Sequence, residues 1–538
     1  MQKSKPTENQ FYFLRLSFLI VTRKEKKPVG HVMLVISLLS LLIAIPLSSS
    51  NISAVQLTRA TSITFFFAAA LSFNAYYVTT IGSGVSLYSG LFHVSTVSMA
   101  IEFFIFTVGR LILLPWASSF YTANLTGDTV RPTIVEYPLI IVFTTIGASF
   151  LVSSSDLVSL YLAIELQSFA VYILASLYRN SESATAAGLM YFLLGALSSA
   201  FILLGSALVY NYTGLTNLDA IRSLISVSSS DPSTTGIYLG LIRMTVGFLF
   251  KIASAPFHNW APTVYDGVPT IVTTWLAVMP KISIFVLLLT LHSLTEGFGL
   301  SIGDVTVNVW QALLMVCSLL SLITGTVVGL AQFRIKRLFA YSTISHVGFM
   351  LLALAVSGQE SIDAFLFYLI QYSLTSLNSF FILLAFGYLI HSKNSGSSKN
   401  TDVQMISELS GQFRQNPILA LSMIVCLFSM SGIPPMMGFF AKYAVLYTAI
   451  HNGYYFISLV AIITSVISAA YYLRVVRVLY FDEPVSGSLN TSRQSPEVLT
   501  SAHCYVIAVL TIFIVLFVLQ PSLILNSTQL MAISIYGY

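Results

Sequence analysis

The chain is poor in charged residues: of its 538 residues only 8% are Asp, Glu, Lys or Arg, whereas 56% are hydrophobic. Soluble globular domains carry about 25% charged residues. This scarcity excludes an ordinary soluble domain, and a mean hydropathy of +0.84 predicts a polytopic membrane protein. The apolar runs are too long for barrel strands and do not alternate, so α-helices remain as the way to satisfy the backbone in lipid.

Cysteine is equally scarce, and its spacing excludes several kinds of site. Cys317, Cys426 and Cys504 are isolated, and no pair has CxxC spacing. The sequence therefore predicts neither a disulfide framework nor a zinc or iron–sulfur site. It also lacks a Walker loop, a Rossmann fingerprint and any nucleic-acid-binding module, so we expect no nucleic-acid partner.

Fourteen apolar segments predict about fourteen transmembrane helices, of which the seventh and the twelfth are interrupted. The seventh runs into the proline-containing stretch 255–262, and the twelfth contains 431–435. Proline removes a backbone donor and clashes with the preceding turn, so we expect both helices to be discontinuous. A break at membrane depth is tolerated only where it is buried in protein or lines a cavity. The predicted spans lie near 31–48, 62–82, 92–116, 137–155, 157–178, 184–210, 236–256, 269–292, 307–330, 337–357, 363–391, 416–450, 453–480 and 500–519.

The helix order predicts two repeats of five helices, each with the interrupted helix in fourth place. The first repeat would cover 137–292 and the second 307–480. Because each repeat has an odd number of helices, the second copy should be inverted in the membrane. Residues 31–136 would form three N-terminal helices, and 500–538 a C-terminal helix and tail. We expect the basic segment 1–30 to be an extension outside the membrane core.

Loop charges indicate the orientation of the core. One set of alternate loops is basic and the other is mainly acidic, and the basic set should face the inside. An even number of spans then places both termini of the core on the opposite side. The basic set contains Arg59, Arg131, Arg179, Arg334, Lys336, Arg337, Lys393, Lys399, Arg414 and Arg493.

Four charged residues lie deep inside apolar segments. Lys251, Lys281 and Lys442 are each the only charged residue of their stretch, and Glu165 is the acidic counterpart. A charge at bilayer depth costs about 2.5–3.5 kcal/mol, so the four together cost on the order of 10 kcal/mol before pairing and hydration. Such residues mark ion or proton pathways, so proton or ion movement is the leading functional hypothesis.

The chemistry of these side chains suits proton transfer. Burial disfavours the charged form of a lysine and lowers its pKa toward neutral pH, whereas a nearby carboxylate favours the charged form. A carboxylate such as Glu165 beside Lys251 would therefore act as a switch. His258 adjoins the first helix break and His346 lies within its span, and histidine can bridge lysines through water. The candidate proton-translocating residues are Glu165, Lys251, Lys281, Lys442, His258 and His346.

Structural roles for the same residues stay open at this point. The lysines could be snorkelling anchors, although their positions well inside apolar runs argue against it. Glu165 could form a purely structural helix–helix pair, and His258 and His346 could be satisfied structural histidines. Haem ligation is disfavoured because no two predicted helices carry matched histidine pairs.

The chain resembles the antiporter-like subunits of respiratory complex I, from about residue 60 to 520, in several long motifs. A lysine at 442 separates it from the subunit 4 type, which carries glutamate there. Its apolar character, rich in Ser, Tyr and Phe, resembles fungal mitochondrially encoded versions, whereas 1–30 departs from the family. The motifs are LYLAIELQSFAVYILASL, FLFKIASAPFHNWAPTVYDGVPT, AVMPKISIF, RIKRLFAYSTISHVGFMLLAL and SMSGIPPMMGFFAKYAVL.

The resemblance implies a role for each buried charge. Glu165 and Lys251 would form the coupling pair, Lys281 the central relay, and Lys442 the group that leads toward the exit side. It implies a subunit of the H+-translocating NADH:ubiquinone reductase that binds no cofactor itself. NAD, FMN, iron–sulfur clusters and ubiquinone would belong to the parent complex.

The same resemblance implies partners and a location. The partners would be other complex I subunits, especially neighbouring membrane-arm subunits, together with membrane lipids. The location would be the mitochondrial inner membrane, with both core termini on the intermembrane-space side, which agrees with the loop charges. A subunit of a multi-subunit cation/proton (Na+/H+) antiporter shares these motifs and remains the alternative. A membrane scaffold without transport would require the lysines to be idle.

Overall fold

The computed structural model describes residues 29–47, 54–76, 84–126, 134–179, 181–227, 232–295, 300–302, 305–392, 402–483, 499 and 501–536. The predicted extension 1–30 lies outside these residues, except for the last two, which begin the first helix. The described chain is predominantly α-helical, as the sequence predicts.

The helices before the middle of the chain follow the first eight predicted segments, although α2 begins at Ala54, eight residues before the predicted start at 62. The elements are α1 (Val29–Leu47), α2 (Ala54–Tyr76), α3 (Thr96–Thr126), α4 (Tyr137–Ser153), α5 (Leu157–Ser176), α6 (Glu182–Thr213), α7 (Leu218–Val227), α8 (Pro232–Lys251), α9 (Trp260–Gly267) and α10 (Thr270–Thr295).

The remaining helices follow the second half of the prediction and add one helix in the predicted tail. They are α11 (Val309–Leu330), α12 (Ile335–Val356), α13 (Gln359–Ser392), α14 (Gln412–Gln415), α15 (Pro417–Ser431), α16 (Met437–His451), α17 (Tyr455–Tyr480), α18 (Ser501–Leu516) and α19 (Ser522–Tyr536). Short 3-10 helices cover Ile406–Leu409 and Phe517–Leu519.

Two small antiparallel hairpins were not predicted, and the second strand of the first hairpin occupies 92–94, where the sequence predicted the start of the third span. Strands β1 (Val85–Leu87) and β2 (Phe92–Val94) pair with Val85 opposite Val94. Strands β3 (Leu300–Ile302) and β4 (Val305–Val307) pair with Leu300 opposite Val307. Each strand has only three residues, so the hairpins do not change the all-α fold class.

The apolar helices fall into two groups by length. Eleven helices of the described chain are long and apolar enough to cross a membrane. The helices α4, α15 and α19 are apolar but shorter, at 17, 15 and 15 residues. The count of fourteen spans therefore stays a prediction, while the polytopic helical architecture is confirmed.

Local sequence explains where several of these helices begin and end. The Asp156 carboxylate accepts a hydrogen bond from the backbone N–H of Val158 at 2.8 Å and caps α5. Ser181 caps α6 in the same way through the N–H of Ala184. At the other end of α6, Gly214 takes a left-handed conformation with φ 68°, which glycine adopts without a Cβ penalty.

Both predicted helix breaks are present. The first separates α8, which ends at Lys251, from α9, which begins at Trp260. The second separates α15, which ends at Ser431, from α16, which begins at Met437. The discontinuous helices leave backbone carbonyl groups free inside the bundle, where polar side chains can reach them.

The helices of the two predicted repeats share one packing pattern. In the first set, α4 packs on α5 and α10; in the second, α11 packs on α12 and α17. The third helix of each set packs on its interrupted fourth helix: α6 on α8, and α13 on α15 and α16. Two central helices, α10 and α12, are almost wholly buried and carry Lys281 and His346.

We expect Gly325→Ala to destabilise the packing of α11 on α12. A Cβ at 325 would lie 2.6 Å from the backbone nitrogen of Ser345 and 2.8 Å from the backbone oxygen of Tyr341. Forcing the helices apart should cost about 1–3 kcal/mol, the usual range for overpacking. Thermal unfolding of the purified protein measures the loss. Gly358→Ala is the control, because its nearest neighbour would be Ser361 Oγ at 3.7 Å. Equal unfolding temperatures for the two variants would contradict this reading of the interface.

Candidate functional site

The first buried charge pair joins α5 to the end of α8. Lys251 Nζ lies 3.8 Å from Glu165 Oε1, and the side chains are 6% and 13% exposed. The same ammonium group donates to Ser168 Oγ at 2.7 Å and to Ser199 Oγ at 3.1 Å. Lys251 is also the last residue of α8, where the helix dipole favours a cation. The structure thus brings together the carboxylate and the lysine that the sequence predicted as a pair.

Lys281 lies on α10 among aromatic side chains. Its Nζ donates to the hydroxyl of Tyr372 at 3.1 Å, and the residue is only 2% exposed. The rings of Tyr372 and Tyr265 face this ammonium group with centroids at 5.4 and 5.9 Å. Among the described residues, no Asp or Glu lies within ion-pairing distance of it. Aromatic faces and one hydroxyl therefore replace an opposite charge.

A small cavity separates Lys251 from the turn that carries Lys281. Its lining includes Lys251, Ser168, Trp260 and Pro280. Gln167, which also lines it, exchanges two hydrogen bonds with Ser283: Gln167 Nε2 donates to Ser283 Oγ at 2.9 Å, and Ser283 Oγ donates back to Gln167 Oε1 at 3.0 Å. Polar groups therefore connect α5 to α10 between the two lysines.

His346 lies as far along α12 as Lys281 lies along α10. Each follows the start of its helix by eleven residues, about 16 Å along the axis at 1.5 Å per residue. His346 Nδ1 is 2.7 Å from the hydroxyl of Tyr368, and Nε2 is 3.4 Å from that of Tyr472. Its ring centroid is 5.7 Å from the Tyr372 ring, which bonds Lys281.

Lys442 lies on the second half of the other discontinuous helix. Its Nζ donates to the backbone oxygen of Ser431 at 2.9 Å, and Ser431 is the last residue of α15. The ring of Phe349 faces the ammonium group at 5.4 Å. The carbonyl end of α15 and an aromatic face therefore stabilise this charge. The Phe349 ring also stacks on that of Tyr368, whose hydroxyl is bonded to His346, so Lys442 and Lys281 both reach the surroundings of this histidine.

His258 lies apart from this row of residues. It is half-buried in the first helix break, and its ring centroid is 6.4 Å from that of Tyr341. The described contacts do not join it to any of the three lysines. Of the six predicted residues, the structure brings Glu165 and Lys251 into one pair and His346 between Lys281 and Lys442.

Sequence reasoning missed the neutral polar residues that hold the charges. Ser168 follows Glu165 by three residues, so the two share a helix face, and this spacing was a usable signal. Tyr368 and Tyr372 are four residues apart on α13 and both reach His346. The sequence also gave no signal for the buried pair His31–Glu102, whose Nε2 and Oε1 atoms are 2.8 Å apart between α1 and α3.

Discontinuous helices with buried lysines at each break and between them define a class of membrane proteins that move protons or cations. A family profile described as "NADH:quinone oxidoreductase/Mrp antiporter, TM" matches residues 154–468, which include all six candidate residues. The chain therefore belongs to the family of transmembrane subunits of NADH:quinone oxidoreductases and Mrp antiporters. The resemblance noted in the sequence is confirmed.

Individual relatives agree with this membership. The chain is 48% identical over 533 residues to NADH-ubiquinone oxidoreductase chain 2 of Rhizopus oryzae, covering 94% of this chain and all of that one. It is 35% identical to NADH-quinone oxidoreductase subunit N of Rhodospirillum rubrum, over 73% of this chain and 76% of that one. A chain of respiratory complex I from Thermus thermophilus with bound aureothin matches with a TM-score of 0.71 at 28% identity, over 92% of this chain and 98% of that chain.

We expect Tyr372→Phe to weaken the support of Lys281. The substitution removes the hydroxyl that accepts from Nζ and leaves a buried donor unpaired, which should cost about 1–3 kcal/mol. Thermal unfolding of the purified protein measures this loss. Tyr443→Phe is the matched control, because Tyr443 is 58% exposed on α16. An unfolding temperature unchanged by Tyr372→Phe would argue that the hydroxyl contributes nothing there.

Proposed function

We propose that this chain is a proton-translocating membrane-arm subunit of respiratory complex I, of the chain 2 type. Such a subunit couples electron transfer from NADH to ubiquinone to proton movement across the membrane. The observation that carries the proposal is the row of three buried ammonium groups, of which only Lys251 has a carboxylate partner among the described residues. An unpaired buried ammonium group releases its proton more readily than a paired one, so the row can pass protons.

Each residue of the row would have its own role. Glu165 and Lys251 form the switch, because separation of the 3.8 Å pair would release the proton of the lysine. Lys281 is the central relay, and His346 continues the path through the hydroxyl and ring of Tyr372. Lys442 leads toward the exit side. His258, at the first break, would lie beside the path rather than on it.

The shared packing pattern supports the division of the chain into repeats. We assign 137–292 and 307–480 to two inverted five-helix repeats, in which the broken fourth helices hold Lys251 and Lys442. Residues 31–136 then form the N-terminal helices and 500–538 the C-terminal helix and tail. The basic segment 1–30 would lie outside the core.

The chain acts as part of an enzyme, NADH:ubiquinone reductase, whose other subunits are its partners. NAD, FMN, iron–sulfur clusters and ubiquinone would bind elsewhere in that complex and not to this chain. The fungal relative supports a mitochondrial inner membrane location. We assign both core termini to the intermembrane-space side, an orientation that the basic loops support.

The antiporter alternative has weaker support. A chain of the Mrp complex from Dietzia sp. matches with a TM-score of 0.75 but at 18% identity, over 95% of this chain and 97% of that one. A likeness at that identity shows the fold alone. The relative that is 48% identical over nearly the whole chain is named for an NADH-ubiquinone oxidoreductase, which favours the first function.

We expect Lys281→Ala and Lys251→Ala to abolish most coupled activity while the complex still assembles. Each removes one proton-binding group from the row, and loss of a positioned proton carrier typically costs about 10²–10⁴-fold in rate. Proton uptake and NADH-driven quinone reduction in reconstituted vesicles measure the effect. Arg222→Gln is the control, because Arg222 is an exposed cation on the amphipathic helix α7. Normal pumping by an assembled Lys281→Ala complex would refute the relay.

Glu165→Gln tests the switch separately. The amide keeps the shape of the side chain but removes the charge 3.8 Å from Lys251 Nζ, so the lysine loses its charged partner. We expect a large loss of proton pumping with assembly retained. Glu165→Asp, which keeps the charge on a shorter side chain, should retain more activity than Glu165→Gln. Equal activities of the two variants would show that charge at this position is irrelevant.

A further inference from the structure

A second group of charges lies outside the lysine row, where α9, α10 and α12 meet. We call it the inner cluster, because its basic residues belong to the loops predicted to face the inside. Arg334 Nη1 and Arg337 Nε both bind Asp266 Oδ2, at 2.7 and 2.9 Å. Lys336 Nζ binds Asp402 Oδ2 at 2.7 Å. The Lys336 side chain is only 4% exposed, so this second pair is not an ordinary surface ion pair.

The pair Lys336–Asp402 also holds the ends of two helices. Asp402 Oδ2 accepts from the backbone N–H of Thr270 at 2.9 Å, which is the first residue of α10. Lys336 Nζ donates to the backbone oxygen of Val268 at 2.9 Å, directly after α9. A carboxylate at the start of a helix and a cation at the end of one both complement the helix dipoles.

Asp402 is itself fixed to the start of α12 by the backbone. The segment 402–406, which we call the strap, runs beside 333–335. The N–H of Ile335 donates to the oxygen of Gln404 at 3.1 Å, and the N–H of Ile406 donates to the oxygen of Phe333 at 3.1 Å. These bonds hold the strap against the start of α12. The Asp402 carboxylate then connects the strap to the first residue of α10.

We propose that Lys336 and Asp402 are positioning residues that keep α10 and α12 in axial register, so that Lys281 on α10 and His346 on α12 both stay beside Tyr372 of α13. This inference rests on the proposed function of the lysine row. Lys281 and His346 lie at equal distances from the anchored helix ends. A slip of one residue moves a helix by about 1.5 Å. Such a slip of α10 against α12 would displace Lys281 relative to His346, which both contact Tyr372.

The inner cluster also joins the two proposed repeats. Asp266 and Val268 belong to the end of the first broken helix, while Lys336 and the strap belong to the second repeat. A displacement of α9 that follows a change at Lys251 would therefore reach α12 through these contacts. The cluster supplies a physical link between the first charge pair and the position of His346.

The test is the Asp402→Asn substitution in the assembled complex. The amide oxygen can still accept from Thr270, so the helix start stays capped, while Lys336 loses its charged partner. We expect kcat for coupled quinone reduction to fall about tenfold with KM unchanged, because a misplacement of about 1 Å can cost up to about 10²-fold in rate and a smaller one costs less. Asp402→Glu, which keeps the charge, should restore at least half of the wild-type kcat.

Arg477→Gln is the control for loss of one charge. It removes the pair in which Arg477 Nε lies 3.8 Å from Asp482 Oδ1 and the side chains are 78% and 41% exposed. This change should leave kcat unchanged. If Asp402→Asn does not assemble, the doubly neutral K336M/D402N variant decides, since it leaves no buried charge unpaired. A tenfold lower kcat supports positioning, and wild-type kcat in either assembled variant overturns it.

Lys281→Ala, measured in parallel, separates the two proposals. Loss of pumping in Lys281→Ala with a normal Asp402→Asn complex would overturn only the positioning role. Normal pumping in Lys281→Ala would overturn the proposed relay itself. An Asp402→Glu variant as slow as Asp402→Asn would also count against positioning by charge.

Discussion

The cost of keeping an ammonium group inside an apolar bundle is the constraint on which the rest of this structure depends. Different neighbouring groups offset this cost at each of the three buried lysines. Lys251 has a carboxylate and two serine hydroxyls, Lys281 has a tyrosine hydroxyl and two aromatic faces, and Lys442 has a backbone carbonyl and one aromatic face. These environments differ in how strongly they favour the charged form of the lysine.

The two helix breaks also help to stabilise the buried ammonium groups. An unbroken helix offers its carbonyl groups only to itself, whereas a helix that ends inside the bundle presents them to side chains. Lys251 is at the carbonyl end of its own helix, and Lys442 reaches the carbonyl end of the helix before it. The two breaks thus stabilise a cation in two related but different ways.

Much of the fold was predictable because each apolar helix carries its signal within its own segment. The spans and both breaks followed from runs of apolar residues and from the prolines near 256 and 434. The three-residue strands, the amphipathic helix α7 and the tail helix α19 were missed, since short elements are held by contacts elsewhere in the chain rather than by a local pattern. Lys336 looked like an ordinary loop cation, although it is almost completely buried against Asp402.

The sequence by itself determined which residues are costly to bury, because the cost of a charge in an apolar segment depends on that segment alone. Only the tertiary structure decided which groups stabilise each buried charge. The partners lie on other helices: Ser168 is 83 residues from Lys251, and Tyr372 is 91 residues from Lys281. The sequence around a serine or tyrosine in a membrane helix does not show which buried charge it contacts. That contact depends on how helices distant in sequence pack and in what register.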